Sequence, residues 1–246
     1  MNLILLFPSD FVSSDTVSLT GRRLKHVLEI LKPRINDTLT VGQENGRIGT
    51  GLVVNIDDRA LTLQVSLTAA PPSKLPVVLC IALMRPIVLK RVLLTAASMG
   101  VEQIILFHSR QVEKSFWQSS SLEPEDIREQ LILGLEQAKD TVLPEVSFQK
   151  RFKPFVEDVL PSLMKGREGF VADPSGDSIV GKSRGEFKGG HGGPPVHAVV
   201  VIGPEGGFIS YEVEKFRQAG CKVVGLGNRI LKIETAMVVM LSNFFY

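Results

Sequence analysis

The chain has 246 residues, 44% of them hydrophobic and 22% charged, which is ordinary for a globular protein with one large or two smaller domains. Its two cysteines and four histidines lack the spacing of a disulfide framework or a metal site, so we expect no metal and a reducing, cytoplasmic location. The apolar start "MNLILLFPSD" is too short for a membrane span and has no basic lead or cleavage site, so it predicts a first strand and no membrane association.

Residues 1–70 predict a small β-barrel domain around one helix. "DTLTVG", "RIGTGLVVNI" and "ALTLQVSL" carry β-branched residues between turn signals, which is typical of short strands. "TGRRLKHVLEIL" has leucines and a valine at helical spacing instead. "AAPPSKLP" at 69–76 then predicts a linker, because adjacent prolines cannot continue a strand.

Residues 76–246 predict an α/β domain, since strands such as "VVLCIAL" and "HAVVVIG" alternate with helices. One predicted helix, "SYEVEKFRQAG", has Ser210 as its expected N-cap. The alternation indicates a parallel sheet covered on both faces, and such sheets bind ligands at the carboxyl ends of their strands. "GEFKGGHGGPP" at 185–195 predicts a mobile loop, to which we assign no chemistry.

The stretch "IGPEGGF" at 202–208 follows a predicted buried strand with three glycines, a proline and one carboxylate. Glycines let a ligand approach the main chain closely, so the loop predicts a binding site. It has no Lys-Ser/Thr pair of a P-loop, and "GLGNRI" at 225–230 lacks the third glycine of a dinucleotide fingerprint. Glu205 would repel a pyrophosphate, which favours a ligand with positive charge, hydroxyls or amines.

Two C-terminal segments, "IGPEGGFISYEVEKF" and "LGNRILKIETA", resemble the RsmE family of SPOUT-class RNA methyltransferases, and "HVLEILKPRINDTLTV" resembles an N-terminal segment of that family. The family's patterns are close to IGPEGGF-x-x-x-E and LG-x-RILR-x-ETA. This chain departs from the family at Thr95, Ser98 and Asp140, and it has Lys232 for Arg and Asn36 for Gly. The cofactor segments are thus nearly intact, whereas other positions have drifted.

The resemblance implies a PUA-like N-terminal barrel, residues 1–70, and a SPOUT methyltransferase domain with a C-terminal trefoil knot, residues 76–246. It further implies a homodimer that transfers a methyl group from S-adenosyl-L-methionine to N3 of a uridine in 16S rRNA of the small ribosomal subunit. Because N3 is buried in a paired base, that uridine must be unpaired or flipped out. The cofactor-binding residues so implied are Ile202, Gly203, Pro204, Glu205, Gly206, Gly207, Leu226, Gly227, Ile230 and Leu231.

Arg229 and Glu234 are the catalytic candidates. Arg229 would stabilise the charge that develops on uracil, or else tie loops or subunits together. Glu234 would orient Arg229 or act as a base, or else stabilise the start of the last helix. Glu205 either faces the cofactor's positive charge or caps a backbone donor.

The basic stretch "GRRLKHVLEILKPR" at 21–34 predicts an RNA-contacting patch with Arg22, Arg23 and Lys25, or alternatively a solvated helix face. Lys232 is a further candidate for RNA contact. Two other functions stay open at this point. One is a catalytically inactive RNA-binding or ribosome-assembly module of the same fold, and the other is a nucleotide-dependent enzyme acting on a small molecule.

Overall fold

The computed structural model describes residues 2–179 and 197–245, so the predicted glycine-rich loop at 185–195 lies outside the described residues. The chain divides into two compact units. The first contains the described residues up to Ser73, together with Ala97–Gly100 and Leu131–Leu143, and the second contains the rest. Among the described residues, no helix is long and apolar enough to cross a membrane.

The first unit contains five strands and one short helix, namely β1 (Ile4–Leu6), β2 (Thr16–Leu19), α1 (Gly21–His26), β3 (Thr38–Gln43), β4 (Ile48–Ile56) and β5 (Leu61–Ala69). The strands form one sheet in the order β1-β3-β4-β5-β2. The β1–β3 pair is parallel, and the other pairs are antiparallel. The helix predicted in this region begins as α1 and continues as one π-helical turn, Val27–Leu31.

The core of the first unit follows from the two-residue period of its strands. In β5, Leu61, Leu63 and Val65 are buried and alternate with more exposed residues, so one face of this strand packs inward. In β1 both faces are covered, since Ile4 belongs to that core while Leu5 packs in a second cluster with Ile132. The strands predicted from the alternating segments are therefore confirmed.

The second unit is an α/β structure whose strands are β6 (Leu75–Ala82), β7 (Val101–Phe107), β8 (Glu145–Gln149), β9 (Glu168–Ser178), β10 (Ala198–Ile202) and β11 (Lys222–Gly225). They form a six-stranded, all-parallel sheet in the order β11-β9-β10-β6-β7-β8. The prediction of a parallel sheet is confirmed. The helices are α2 (Pro86–Ser98), α3 (Pro124–Ala138), α4 (Phe152–Pro154), α5 (Leu160–Leu163), α6 (Ser210–Gln218) and α7 (Ile233–Phe245); α2 and α3 each end in the first unit.

The central strands of this sheet are apolar along their whole length because both faces are covered. All five residues of β10 are buried, and so is β6 from Val77 onward. An aromatic cluster lies beside β7, where the rings of Phe107 and Phe155 stack with centroids 4.6 Å apart. Phe216 of α6 packs edge-on against Phe107 at 6.2 Å. Cys80 and Cys221 are buried free thiols.

A buried carboxylate, Glu136, links three parts of the first unit. Its side chain is 1% exposed. Oε2 accepts a hydrogen bond from Nη2 of Arg22 at 3.0 Å, and Oε1 accepts one from the backbone N–H of Leu5 at 3.3 Å. Burial raises the pKa of Glu136 above its usual 4.5, although the charge of Arg22 opposes that shift. The group is therefore a sensitive point for the stability of this unit.

We expect Glu136→Ala to lower the free energy of unfolding by about 3 kcal/mol, because it leaves Leu5 N–H and the Arg22 guanidinium without their acceptor. Glu136→Gln keeps an acceptor for Leu5 and is expected to cost less than about 1 kcal/mol. The folded form binds more protons than the unfolded chain between pH 4.5 and the raised pKa, so wild-type stability falls as pH rises through that window.

Urea unfolding at several pH values checks both expectations, with Glu136→Gln as the matched control that removes the titration. Equal losses in the two variants, or a pH dependence that persists in Glu136→Gln, would contradict this account of the buried carboxylate.

Candidate functional site

A cavity of about 270 Å³ opens at the carboxyl ends of β10 and β11, beside residues 172–174 in the middle of β9. In this sheet β9 lies between β10 and β11, and Ala172 near the cavity pairs with Ile202, the last residue of β10. The loops that follow β10 and β11 therefore meet beside the middle of β9. The residues that line the cavity are Ala172, Asp173, Pro174, Ile202, Gly203, Pro204, Glu205, Gly206, Gly207, Phe208, Leu226, Gly227, Arg229, Ile230, Leu231, Ile233 and Ala236.

The glycine loop after β10 is a turn with a fixed shape. The N–H of Gly207 donates to the carbonyl of Pro204 at 2.9 Å. Gly207 has φ +75°, a left-handed backbone conformation that residues other than Gly, Asn and Asp rarely adopt. Phe208 follows at once, and its ring packs on Phe216 with centroids 5.1 Å apart. The loop is thus anchored in the aromatic cluster, while its backbone borders the cavity.

Glu205 caps a backbone donor. Its Oε1 accepts a hydrogen bond at 3.1 Å from the N–H of Arg85, the residue before α2. The same residue lines the cavity. The structural alternative stated for Glu205 is therefore present in the molecule, and its carboxylate also contributes negative charge beside the cavity.

Glu212 holds the end of the glycine loop against the segment that follows β7. It is almost fully buried, and its carboxylate accepts hydrogen bonds from the N–H of Arg110 at 2.8 Å and of Ile209 at 3.2 Å. Because α6 begins at Ser210, its N-cap is Ile209, and the prediction of Ser210 as N-cap was wrong. Glu212 is the final acid of the pattern IGPEGGF-x-x-x-E. The pattern predicted where this acid lies in the sequence, but not that its carboxylate would hold the glycine loop.

The second motif contributes Arg229 and its neighbours to the cavity. Arg229 is exposed, and within residues 2–179 and 197–245 its guanidinium has no hydrogen bond or ion pair. Ile230 is 96% exposed, so it lies at the rim. Gly227 has φ +94°, which turns the chain between β11 and Arg229. The structure therefore brings Arg229 and all ten predicted cofactor-binding residues to one cavity.

Glu234 and Lys232 lie just outside that set. Glu234 is in the first turn of α7, where a carboxylate favours the helix dipole, and its Oε1 is 3.6 Å from Nη1 of Arg91. It does not line the cavity, whereas Ile233 and Ala236 on either side of it do. Lys232 lies between two cavity-lining residues, Leu231 and Ile233, without lining the cavity itself.

The family of RNA methyltransferase domains matches residues 71–244. The chain belongs to this family. It is 27% identical over 239 residues to the ribosomal RNA small subunit methyltransferase E 1 of Borreliella burgdorferi, covering 97% of this chain and 94% of the relative. It is 25% identical over 238 residues to the ribosomal RNA small subunit methyltransferase E of Treponema pallidum, covering 96% and 87%. The resemblance to RsmE is confirmed.

Solved structures share the fold. The ribosomal RNA small subunit methyltransferase E from Neisseria gonorrhoeae, bound to S-adenosyl methionine, has a TM-score of 0.74 at 17% identity and covers 99% of this chain and 98% of its own. A methyltransferase from Legionella pneumophila with bound SAM has a TM-score of 0.74 at 20% identity, covering 98% and 96%.

The predicted basic patch lies in the first unit, and its three side chains have different surroundings. The Arg23 side chain is 11% exposed, and its guanidinium binds Asp10 at 2.7 Å, binds the carbonyl of Leu5 at 2.8 Å and lies 4.4 Å from the Phe7 ring centroid. Arg22 remains 40% exposed beside Glu136, and Lys25 is 74% exposed. The Arg23 side chain is thus engaged in contacts within the first unit, while the Arg22 and Lys25 side chains reach solvent.

The wall formed by β9 was not predicted from the glycine motifs. Here the register against β11 passes from Val171 directly to Asp177, so the residues between them form a bulge in β9. Asp173 lies in that bulge, and its Oδ1 accepts hydrogen bonds from the N–H of Ser175 at 2.9 Å and its hydroxyl at 2.6 Å. The carboxylate in "EGFVADP" was the available signal, since it follows apolar residues in the part of the chain that was predicted to form the parallel sheet.

Within the described residues, no group of three or more His, Cys, Asp or Glu side chains is arranged to hold a metal ion. The lining of the cavity instead combines apolar side chains, glycine backbone and two carboxylates, Glu205 and Asp173. This combination suits an uncharged ring system with hydroxyls and a positive group. It is poorly suited to a polyphosphate, which the carboxylates would repel.

Proposed function

We propose that this family member transfers a methyl group from S-adenosyl-L-methionine to N3 of a uridine in 16S rRNA of the small ribosomal subunit. The observation that carries the proposal is that the two C-terminal motifs, far enough apart to follow different strands, line one cavity. The relatives named as small subunit rRNA methyltransferases support the substrate, and the solved structure with bound cofactor supports S-adenosyl-L-methionine.

The residues of the cavity suit that cofactor. Ile202, Leu226 and Leu231 offer apolar contact for an adenine ring, and the backbone of the glycine loop offers donors and acceptors at close range. The carboxylates of Glu205 and Asp173 complement a positive charge and hydroxyls. When bound, the cofactor supplies an electrophilic methyl group on a sulfonium.

Arg229 is the proposed catalytic residue. Uracil N3 carries a weakly acidic proton, and its loss places negative charge on the neighbouring carbonyl oxygens O2 and O4. A guanidinium at the cavity without a partner among the described residues is free to donate to those oxygens, which stabilises the anion. Glu234 contacts Arg91 and not the cavity, so we assign it to supporting the start of α7, and Ile233 and Ala236 on that helix shape the wall.

The proposal also includes the finer architecture. The curled sheet of the first unit, within residues 1–70, would be the PUA-like RNA-binding domain, and residues 76–246 would form the SPOUT domain with its trefoil knot. Arg22 and Lys25 are the proposed RNA contacts of the first unit, and Lys232 that of the second. A homodimer is part of the proposal, and the exposed apolar side chains of Ile230 and Val238 support it.

We expect the protein to transfer labelled methyl groups from S-adenosyl-L-methionine to small ribosomal subunits that lack the modification, and nucleoside analysis to identify N3-methyluridine. A labelled product at another base would contradict the substrate and keep the family. Binding of the cofactor without any transfer, to subunits or free RNA, would favour the catalytically inactive RNA-binding module instead.

A further inference from the structure

A cluster of aromatic and basic side chains lies at the carboxyl ends of the parallel strands, as the cavity does. β7 ends at Phe107 and β8 at Gln149, and these two residues pair directly in a parallel register. The segments that follow both strands therefore emerge at the carboxyl edge, where the loops after β10 and β11 border the cavity. This end of the sheet carries Trp117, Phe148 and Lys150.

The segment after β7 is fixed to the glycine loop by two contacts. The N–H of Arg110 donates to the buried carboxylate of Glu212 at 2.8 Å. Gln111 packs so closely on Gly206 that a Cβ on this glycine would come within 3.3 Å of the Gln111 Cβ. These two contacts fix the position of the segment relative to the glycine loop of the cavity wall. A group bound on the segment is therefore held in a defined place.

Trp117 is the only tryptophan in the chain, and its ring is held in a fixed orientation. Its Nε1–H donates to Nδ1 of His108 at 3.0 Å. Partial burial lowers the pKa of His108 below its usual 6.5, so the neutral imidazole is available as an acceptor at neutral pH. The Phe148 ring meets Trp117 edge to face with centroids 6.4 Å apart and is itself 39% exposed.

The charges around this aromatic pair are mostly positive. Residues 108–118 and 148–151 contain four cations, against the single carboxylate of Glu113. Nζ of Lys150 lies 5.9 Å from the Trp117 ring centroid, over the ring. The cations of these two segments are Arg110, Lys114, Lys150 and Arg151. Stacking faces bordered by flexible cations are the arrangement with which proteins bind single-stranded nucleic acid.

We propose that Trp117, Phe148 and Lys150 form a platform that stacks a nucleotide of the single-stranded RNA that carries the target uridine. The inference rests on the proposed function and extends it, since it identifies how a strand would be held while one of its bases enters the cavity. Lys150 covers the Trp117 ring in the free protein, and its ammonium moves to a phosphate when a base takes its place. The platform is sequence-tolerant, because every base has a face that can stack.

The single tryptophan allows a direct test without any substitution. The protein is labelled with 5-hydroxytryptophan, whose excitation is shifted away from the tryptophans of ribosomal proteins, and titrated with unmodified small ribosomal subunits. We expect the subunits to quench the label, and S-adenosyl-L-methionine alone to leave it unchanged. Subunits that cosediment with the protein while the emission stays constant would overturn the proposal.

Methyl-transfer kinetics provide the second test. We expect Trp117→Ala to raise KM for the subunits about 5- to 150-fold, the range for the loss of one stacked base, with kcat within about threefold. Trp117→Phe keeps a stacking face and is expected to retain most of the affinity, and Lys150→Ala is expected to raise KM and weaken its salt dependence. The matched control is Lys222→Ala, which removes a lysine from the opposite, amino edge of the sheet.

The outcomes separate this proposal from the proposed function. Quenching without transfer would contradict the methyltransferase assignment and keep the platform. Methyl transfer with unchanged emission would overturn the platform and keep the function. The same holds if the KM of Trp117→Ala for the subunits is indistinguishable from that of Lys222→Ala. If the subunits neither bind nor become methylated, both proposals fail.

Discussion

We expect Arg229→Ala to lower kcat for methyl transfer by about 10²- to 10³-fold, the range for removing one donor to a developing oxyanion. The side chain lines the cavity, is exposed and makes no ion pair among the described residues, so its removal breaks no hydrogen bond or ion pair among them. Affinity for S-adenosyl-L-methionine is expected to stay within about threefold, because apolar and backbone contacts from other residues would hold the cofactor. Single-turnover transfer and calorimetry of cofactor binding measure the two effects separately.

Two matched variants make this result specific. Arg229→Lys keeps the charge but loses the planar fork, so we expect an intermediate rate. Arg217→Ala removes a different exposed arginine, one that lies in α6 3.7 Å from Glu214, and is expected to leave both rate and affinity unchanged. If Arg229→Ala instead loses the cofactor with its kcat intact, the residue is a binding residue and not the proposed catalyst.

The pH dependence of the remaining activity offers a further check. Without the guanidinium, less of the uridine is deprotonated at neutral pH, so the rate of Arg229→Ala should rise more steeply with pH than that of the wild type. Parallel pH profiles for the two proteins would contradict a role at the uracil anion.

Much of the fold could be predicted because its strands repeat a simple local pattern. Leu61, Leu63 and Val65 alternate with polar residues, and β10 is apolar throughout, so an inward-facing strand and a fully covered one each have their own pattern. Short β2 and β8 were not predicted. β8 lies at the edge of its sheet and has no fully buried residue, so hydrophobicity gave little signal there.

Counting the charges of the basic patch in the sequence did not predict which of its arginines would be exposed. Arg22 and Arg23 are adjacent and equivalent in the sequence, yet Asp10 and the Phe7 ring enclose one of them, while the other stays partly exposed beside Glu136. Glu136 is 114 residues away from Arg22 along the chain. Pairings over such distances depend on the tertiary structure, which no local pattern contains.

Two departures from the family pattern have local structural reasons. Asn36 replaces a glycine and has φ +73°, a left-handed conformation in which asparagine is tolerated, so the turn is preserved. Asp140 is buried, and its Oδ1 accepts hydrogen bonds from the N–H groups of Thr141 at 2.6 Å and Val142 at 3.1 Å. These contacts stabilise a turn of the first unit, so the residue at this position does not by itself argue for an inactive protein.

The glycine loop leads to the second large effect. We expect Gly207→Val to weaken binding of S-adenosyl-L-methionine about 10- to 100-fold. A Cβ at this position would meet no atom within 4 Å, so a steric clash is not the reason. The reason is the backbone, since φ +75° costs an ordinary side chain about 1–2 kcal/mol and a β-branched one more, and relief of that strain changes the loop that borders the cavity.

Gly207→Asn is the matched control, because asparagine adopts this conformation at low cost, and we expect it to bind the cofactor within about threefold of the wild type. Gly206→Ala adds a Cβ nearby, 3.3 Å from Gln111, without a positive φ, so it separates crowding from backbone strain. Calorimetric titration of the three variants gives the affinities, and thermal unfolding shows that each is folded. Equal losses for Val and Asn at position 207 would show that the side chain itself, and not the left-handed turn, controls cofactor binding.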